Sequence, residues 1–225
     1  MTTLLAIDTA TEACSVAILH QDELYTCYEV IPQLHAQQIL PMINKVLAEV
    51  GCSLSTIDGL AFGCGPGAFT GVRIATGVIQ GLAFALDKPV IAISDLSVLA
   101  QRAWREYKIE QVAVAIDARM NEIYWGCYQL QQQEMCLIGK EQVLAPELAQ
   151  LPQINEKWFG VGTGWKYAEQ MPAQCEVVDD SLLPDAQDLL TLALLAWQRN
   201  EMISAEKVEP VYLRDNVATP KKNIG

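Results

Sequence analysis

A run of small and branched apolar residues closing on an aspartate occurs twice in this chain. It reads Leu4-Leu5-Ala6-Ile7-Asp8 and then, with its aspartate 109 positions later, Val112-Ala113-Val114-Ala115-Ile116-Asp117. Such a run ending at a polar turn reads as a buried strand. After each aspartate come a short turn and two further strand-like runs, at 14–19 and 24–30 in the first half and at 123–130 and 135–143 in the second. Two copies of one three-stranded meander leave few folds open. Each copy must bury its own sheet, and 225 residues can supply two such cores.

Behind the first meander, Ala36, Ile39, Leu40, Ile43, Val46, Leu47 and Val50 fall on one helical stripe that Gly51 ends. A buried strand at 60–62 then leads into the glycine-rich loop 63–67, a helix over 70–86 and a strand at 90–93. Ser94 follows as the N-cap of a helix reaching about Tyr107. Behind the second meander come a weak helix at 146–150, a strand at 158–161, a helix near 165–170, a strand at 175–178 and a strong helix at 189–199. Repeated order, more than repeated letters, gives a duplicated α/β fold of the ribonuclease H/actin type, with subdomains at about 1–103 and 104–225. In such folds the last helix can pack back on the first lobe, which leaves that border open.

Composition bounds the function. With 27 acidic and 15 basic side chains the formal charge is −12, and Lys45 is the only base before Arg73. Nucleic-acid binding rests on Lys and Arg neutralising phosphates, so this chain is not expected to grip RNA by itself. Seven cysteines without a C-x-x-C pair read as reduced thiols. No basic leader precedes the first strand, and apolar windows such as 78–86 and 189–197 are shorter than a membrane span. The expectation is a cytoplasmic protein with no membrane partner.

Asp8-Thr9-Ala10-Thr11 stands where actin-type folds carry a turn that cradles phosphate through backbone N–H groups. It lacks the glycine that lets a backbone approach closely. Asp8, Thr9 and Thr11 therefore read as a vestigial phosphate turn or as plain turn residues. The matching turn, Asp117-Ala118-Arg119-Met120, carries bulky side chains where a phosphate would lie. The loop 63–71 is glycine-dense but no Gly-Lys-[Ser/Thr] follows, so it is not a Walker loop. Arg73, Gly77, Gly81 and Ala85 recur every four residues. Each helix-interior glycine costs about 1 kcal/mol relative to alanine, so this row reads as a groove for close packing, within the chain or against another molecule. The two histidines, His20 and His35, form no H-E-x-x-H pair, and no G-x-S-x-G elbow is present. No metal and no catalytic residue are assigned.

Taken together, four motifs resemble the bacterial TsaB (YeaZ) family. They are Leu5-Ala6-Ile7-Asp8-Thr9-Ala10-Thr11, Gly65-Pro66-Gly67-Ala68-Phe69-Thr70-Gly71-Val72-Arg73, Ile116-Asp117-Ala118-Arg119-Met120 and Pro210-Val211-Tyr212-Leu213-Arg214. Ala68 departs from the family, which usually has serine there. The resemblance implies an actin-like ATPase-superfamily (ASKHA) fold. It also implies a non-catalytic scaffold for the complex that forms N6-threonylcarbamoyladenosine beside the anticodon of tRNAs reading codons that begin with A. Its implied partners are the catalytic paralogue TsaD and the ATPase TsaE, with tRNA reached only through the complex and a homodimer as a further state. It implies no cofactor of its own, and a nucleotide only at an interface with the ATPase. The implied contact helices span 35–50 and 70–86, with His35, Ile39, Met42, Ile43, Arg73, Gly77, Gly81 and Ala85 at the interface. Two other readings stand beside it, an ATP-dependent small-molecule kinase of the same fold and a peptidase-like protein.

Overall fold

The computed structural model of the chain describes residues 2–152 and 156–214. Strands β1 (Leu4–Asp8), β2 (Ala13–His20) and β3 (Glu23–Val30) form an antiparallel meander, followed by α1 (His35–Val50). Then come β4 (Gly59–Gly63), α2 (Phe69–Leu86) and β5 (Val90–Ile93), with β4 parallel to β1 and β5 parallel to β4. After α3 (Asp95–Tyr107) the pattern restarts with β6 (Gln111–Asp117), β7 (Ile123–Gln131) and β8 (Glu134–Leu144). Strands β9 (Trp158–Val161) and β10 (Cys175–Asp179) and helix α4 (Ala186–Gln198) complete it.

The sheet orders are β3-β2-β1-β4-β5 and β10-β9-β6-β7-β8. Counted from the first strand of each repeat, the two are the same. The duplication read from Asp8 and Asp117 is thus a duplication of topology. In the second copy the helices between strands shrink to the short 3₁₀ segments Pro146–Leu148 and Thr163–Gln170.

Side chains alternate across a strand, so β1, buried throughout, feeds two cores. Leu5 and Ile7 face α1 and α2, meeting Ile39, Ile43, Val46, Ala75 and Ile79. Leu4 and Ala6 face the opposite way, onto Leu189, Leu190 and Ala193 of α4. In the second lobe Val112, Val114 and Ile116 pack on Leu96, Leu99 and Ala103 of α3.

The two helices that close the repeats are therefore exchanged. Helix α3 leaves the first sheet and packs on the second; α4 leaves the second sheet and packs on the first, and the two helices touch. The expected border between residues 103 and 104 falls inside α3, and neither lobe is contiguous in sequence. Gly59 admits α4: a Cβ there would overlap the Trp197 ring.

Two further expectations change. The stripe on α1 included Ala36 and Leu40, yet Ala36 is exposed and Leu40 is 50 % exposed. Gly51 does end the helix, in the left-handed conformation at φ 71°, so that the Cys52 N–H can reach the Leu47 carbonyl. By length and composition α2 is apolar enough to cross a membrane, contrary to the expectation that no segment is. Here it lies on the sheet, with Val72, Ala75, Ile79 and Ala83 buried beneath it.

Candidate functional site: an interlobe cleft and an open helix face

The four motifs meet at one place. A cleft of about 430 Å³ between the lobes is lined by Ala10 and Thr11, by Gly67, Ala68 and Phe69, by Asp117 and Arg119, and by residues 211–214. The last segment ties the others together. Val211 N–H donates to the Cys64 carbonyl at 2.7 Å. Tyr212 stacks on Phe69 with ring centroids 6.0 Å apart. Arg214 donates to the Ala118 carbonyl at 3.2 Å and pairs with Glu122.

Both turns make bonds within the chain. Asp8 Oδ1 accepts the Ala10 N–H at 2.8 Å, and the Thr9 hydroxyl donates to the Gly71 carbonyl at 2.7 Å. Gly67 and Gly71 carry no side chain because a Cβ on either would overlap the Ala10 or Thr9 carbonyl. Of Asp8, Thr9 and Thr11 only Thr11 lines the cleft. Across the cleft, Asp117 holds Lys166 at 2.7 Å and Arg119 at 3.1 Å, and Arg119 reaches Glu12 at 3.5 Å. These charges neutralise one another. Among the described residues no group of three His, Cys, Asp or Glu is placed to hold a metal ion. The seven cysteines are free, and burial pushes the Cys14 and Cys127 thiols up to about 12.

The outer face of α2 is different in kind. Arg73, Gly77, Gly81 and Ala85 are all exposed, and a Cβ built on Gly77 or Gly81 meets nothing within 4 Å. The glycine row thus faces away from its own sheet, and packing within the chain does not explain it. Phe69 and Phe84, both more than half exposed, sit on the same helix. Arg73 is held ready by its own chain. Its guanidinium lies 3.7 Å above the Phe69 ring, and its Nε–H donates to the Tyr212 hydroxyl at 2.8 Å.

Comparison with known proteins decides the identity. A family model described as "TsaD: tRNA N6-adenosine threonylcarbamoyltransferase" matches residues 28–222. The tRNA threonylcarbamoyladenosine biosynthesis protein TsaB of Escherichia coli (strain K12) is 42 % identical over 224 residues, covering 97 % of each chain. The protein of the same description from Haemophilus influenzae is 43 % identical over 227 residues, covering 97 % of this chain and 96 % of that one. The solved structure of YeaZ from Pseudomonas aeruginosa superposes with a TM-score of 0.93 at 62 % identity, over 95 % of this chain and all of that one. The chain belongs to the TsaB (YeaZ) family. Members of this family are catalytically inactive paralogues of TsaD in the pathway to threonylcarbamoyladenosine in tRNA. The actin-like, two-sheet fold expected for TsaB is the fold seen here.

Within this chain the expected interface residues separate into two groups. Arg73, Gly77, Gly81 and Ala85 are on the surface. His35, Ile39, Met42 and Ile43 are not: all four are buried against their own sheet in the isolated chain. A helical stripe marks the face a helix buries, and here α1 buries it inside the lobe. His35 Nε2 lies 3.1 Å from the Ala13 carbonyl, so that nitrogen carries the proton and pins the start of α1 to β2. On the solvent side α1 instead presents Leu40 and Pro41, next to the exposed Leu34 that precedes it. Leu40, counted into the core stripe, and Phe69, read as part of the glycine loop, are both half exposed.

Proposed function

We propose that this chain is the scaffold subunit that binds and supports the catalytic paralogue TsaD, with the outer faces of α2 and α1 as the docking surface. The observation that carries this reading is the Gly77-Gly81 row, two helix-interior glycines opening onto empty space. Two glycines there cost helix stability, and close approach of another backbone would compensate it. The ATPase TsaE joins the assembly, and any nucleotide binds at the interface with it, since both turns of this cleft already bond within the chain. A second copy of the chain can use the same face when TsaD is absent. The −12 charge supports tRNA being reached through the complex. The setting is the cytoplasm.

The test is Gly77→Leu and Gly81→Leu, each followed by a thermal melt of the isolated chain and a pull-down with TsaD. Leucine is the better helix former by a few tenths of a kcal/mol or more, and it meets no neighbour in the monomer. The melt is expected to hold or rise while capture is lost, because an isobutyl group drives the helix axes toward the usual ~8–10 Å spacing. An unchanged melt with intact capture would overturn the assignment of this face.

A further inference from the structure

Three aspartates, Asp8, Asp95 and Asp188, are almost fully withdrawn from solvent. Asp188 has Arg105 as its counter-ion at 2.8 Å. Among the described residues no ion pair reaches Asp8, at 2 % exposure, or Asp95, at 0 %. Each uses one oxygen on a backbone N–H. Asp8 Oδ1 accepts from Ala10 at 2.8 Å, and Asp95 Oδ2 accepts from Gly65. Their other oxygens, Asp8 Oδ2 and Asp95 Oδ1, are buried with no donor. The two carboxyl groups meet over Gly63, where a Cβ would overlap Asp95 Oδ1 and lie 3.1 Å from Asp8 Cγ. Two bare carboxylates in such a place repel with little solvent screening. One proton between them turns the repulsion into a short charge-assisted hydrogen bond.

We propose that Asp8 and Asp95 share one proton in the folded protein at neutral pH, forming a latch between the end of β1 and the start of α3 that is released as the pH rises. The two residues stand on different elements at the same end of the first sheet. Asp8 ends β1 of the first sheet, whereas Asp95 opens α3, whose apolar face belongs to the second lobe. Gly65, held by Asp95, belongs to the loop that leads into α2. One proton therefore ties together the first sheet, the second lobe and the entry to the proposed docking helix.

The surroundings favour the protonated pair. Burial pushes both carboxyls above the ordinary range, and the Asp8 charge pushes Asp95 further. From the other elements packed around the pair, Asp185 before α4 raises Asp8 and Glu141 of β8 raises Asp95, while His35 of α1 pulls Asp8 down. Cys14 of β2 and Cys64 of the glycine loop are thiols that burial keeps neutral. The sign follows from linkage. Above the ordinary carboxylate range the folded state holds a proton that the unfolded state has released, so stability falls as pH rises until the pair has lost it.

The experiment compares the full chain with Asp95→Asn and Asp8→Asn by urea unfolding from pH 5 to 9. A single amide can stand in for the shared proton, donating to the facing carboxylate while its oxygen keeps the backbone N–H. Both single variants are expected to fold. The unfolding constant of the unsubstituted chain relative to either variant should rise about tenfold per pH unit while the folded pair still holds its proton, and level off once that proton is lost. Asp188, His35 and Glu141 are common to all three proteins and cancel in the ratio. The double Asp8→Asn/Asp95→Asn variant is expected to be less stable than either single variant, since two amide donors then face each other. A ratio independent of pH would overturn the latch. So would collapse of both single variants, or stabilisation by millimolar Mg²⁺ or Ca²⁺ that Asp95→Asn abolishes, which would place a cation where the proton is proposed.

Discussion

At the scale of single residues, the contact between the exchanged helices includes a buried carboxylate held by Arg105, which also lies 3.7 Å from Asp185. Asp188 is nearly inaccessible, and Arg105 of α3 grips both its oxygens at 2.8 Å. Burial still outweighs that pull and pushes the carboxyl up to about 6. An acid raised in the folded state favours folding at low pH and loses that contribution as pH climbs from about 4 through 6. Asp188→Asn should therefore flatten the stability profile in that window, as urea midpoints at pH 4, 5 and 6.5 would show. Arg105→Ala strands the carboxylate instead. Destabilisation of roughly 2–4 kcal/mol is expected at pH 8, and distinctly less at pH 5, where Asp188 can take up a proton. Equal losses at both values would refute the stranded-charge account. None of these partners was legible beforehand. Asp188 and Arg105 are separated by 83 positions, as Asp8 and Asp95 are by 87, and no local pattern links such pairs. The histidine count was legible, because the spacing that an H-E-x-x-H site requires is local.

Periodicity worked well at the scale of elements and failed on what covers each face. The order of strands and helices, the Gly51 stop and the Ser94 cap could all be read, since alternation and capping are properties of a few consecutive residues. The exchange of α3 and α4 could not, for an amphipathic helix announces a buried face without naming the sheet that buries it. Nor could the turn between β6 and β7, where Arg119, Met120 and Asn121 stand in succession at φ 63°, 56° and 57°. Consecutive left-handed residues without glycine cost about 1–2 kcal/mol each. Met120 is 79 % exposed, and its sulfur meets only the Arg214 guanidinium, at 3.6 Å, among the hydrogen bonds of the described residues. Met120→Gly relieves that backbone while widening the unfolded ensemble, so a net gain of roughly 0.5–1 kcal/mol is expected in urea unfolding. A loss would mean that the Met120–Arg214 contact outweighs the backbone strain. Asn121→Gly should gain less, because asparagine tolerates this region better.

For the molecule as a whole, duplication supplies the frame and charge restricts what the frame can hold. Both sheets keep the same order, yet the cleft between them is lined by cations already matched to acids: Arg119 to Glu12 and Asp117, Lys166 to Asp117, Arg214 to Glu122. A protein that grips RNA releases counterions from the phosphates, and its affinity falls steeply as salt rises. This chain must either break those internal pairs or approach a polyanion while carrying −12 itself. Its affinity for tRNA, alone at about 0.15 M salt, is therefore expected to be weaker than micromolar. The salt dependence is the sharper test. Going from about 0.1 M to 0.01 M salt lengthens the screening distance from about 10 to 30 Å, which extends the reach of the net repulsion more than that of any paired arginine. Titration of labelled tRNA across that range should give a shallow or inverted slope for the isolated chain. With TsaD added, the affinity should rise and the ordinary steep loss with salt should appear. Tight binding by the isolated chain that weakens steeply with salt would show a working phosphate surface here, and the division of labour proposed above would have to be redrawn.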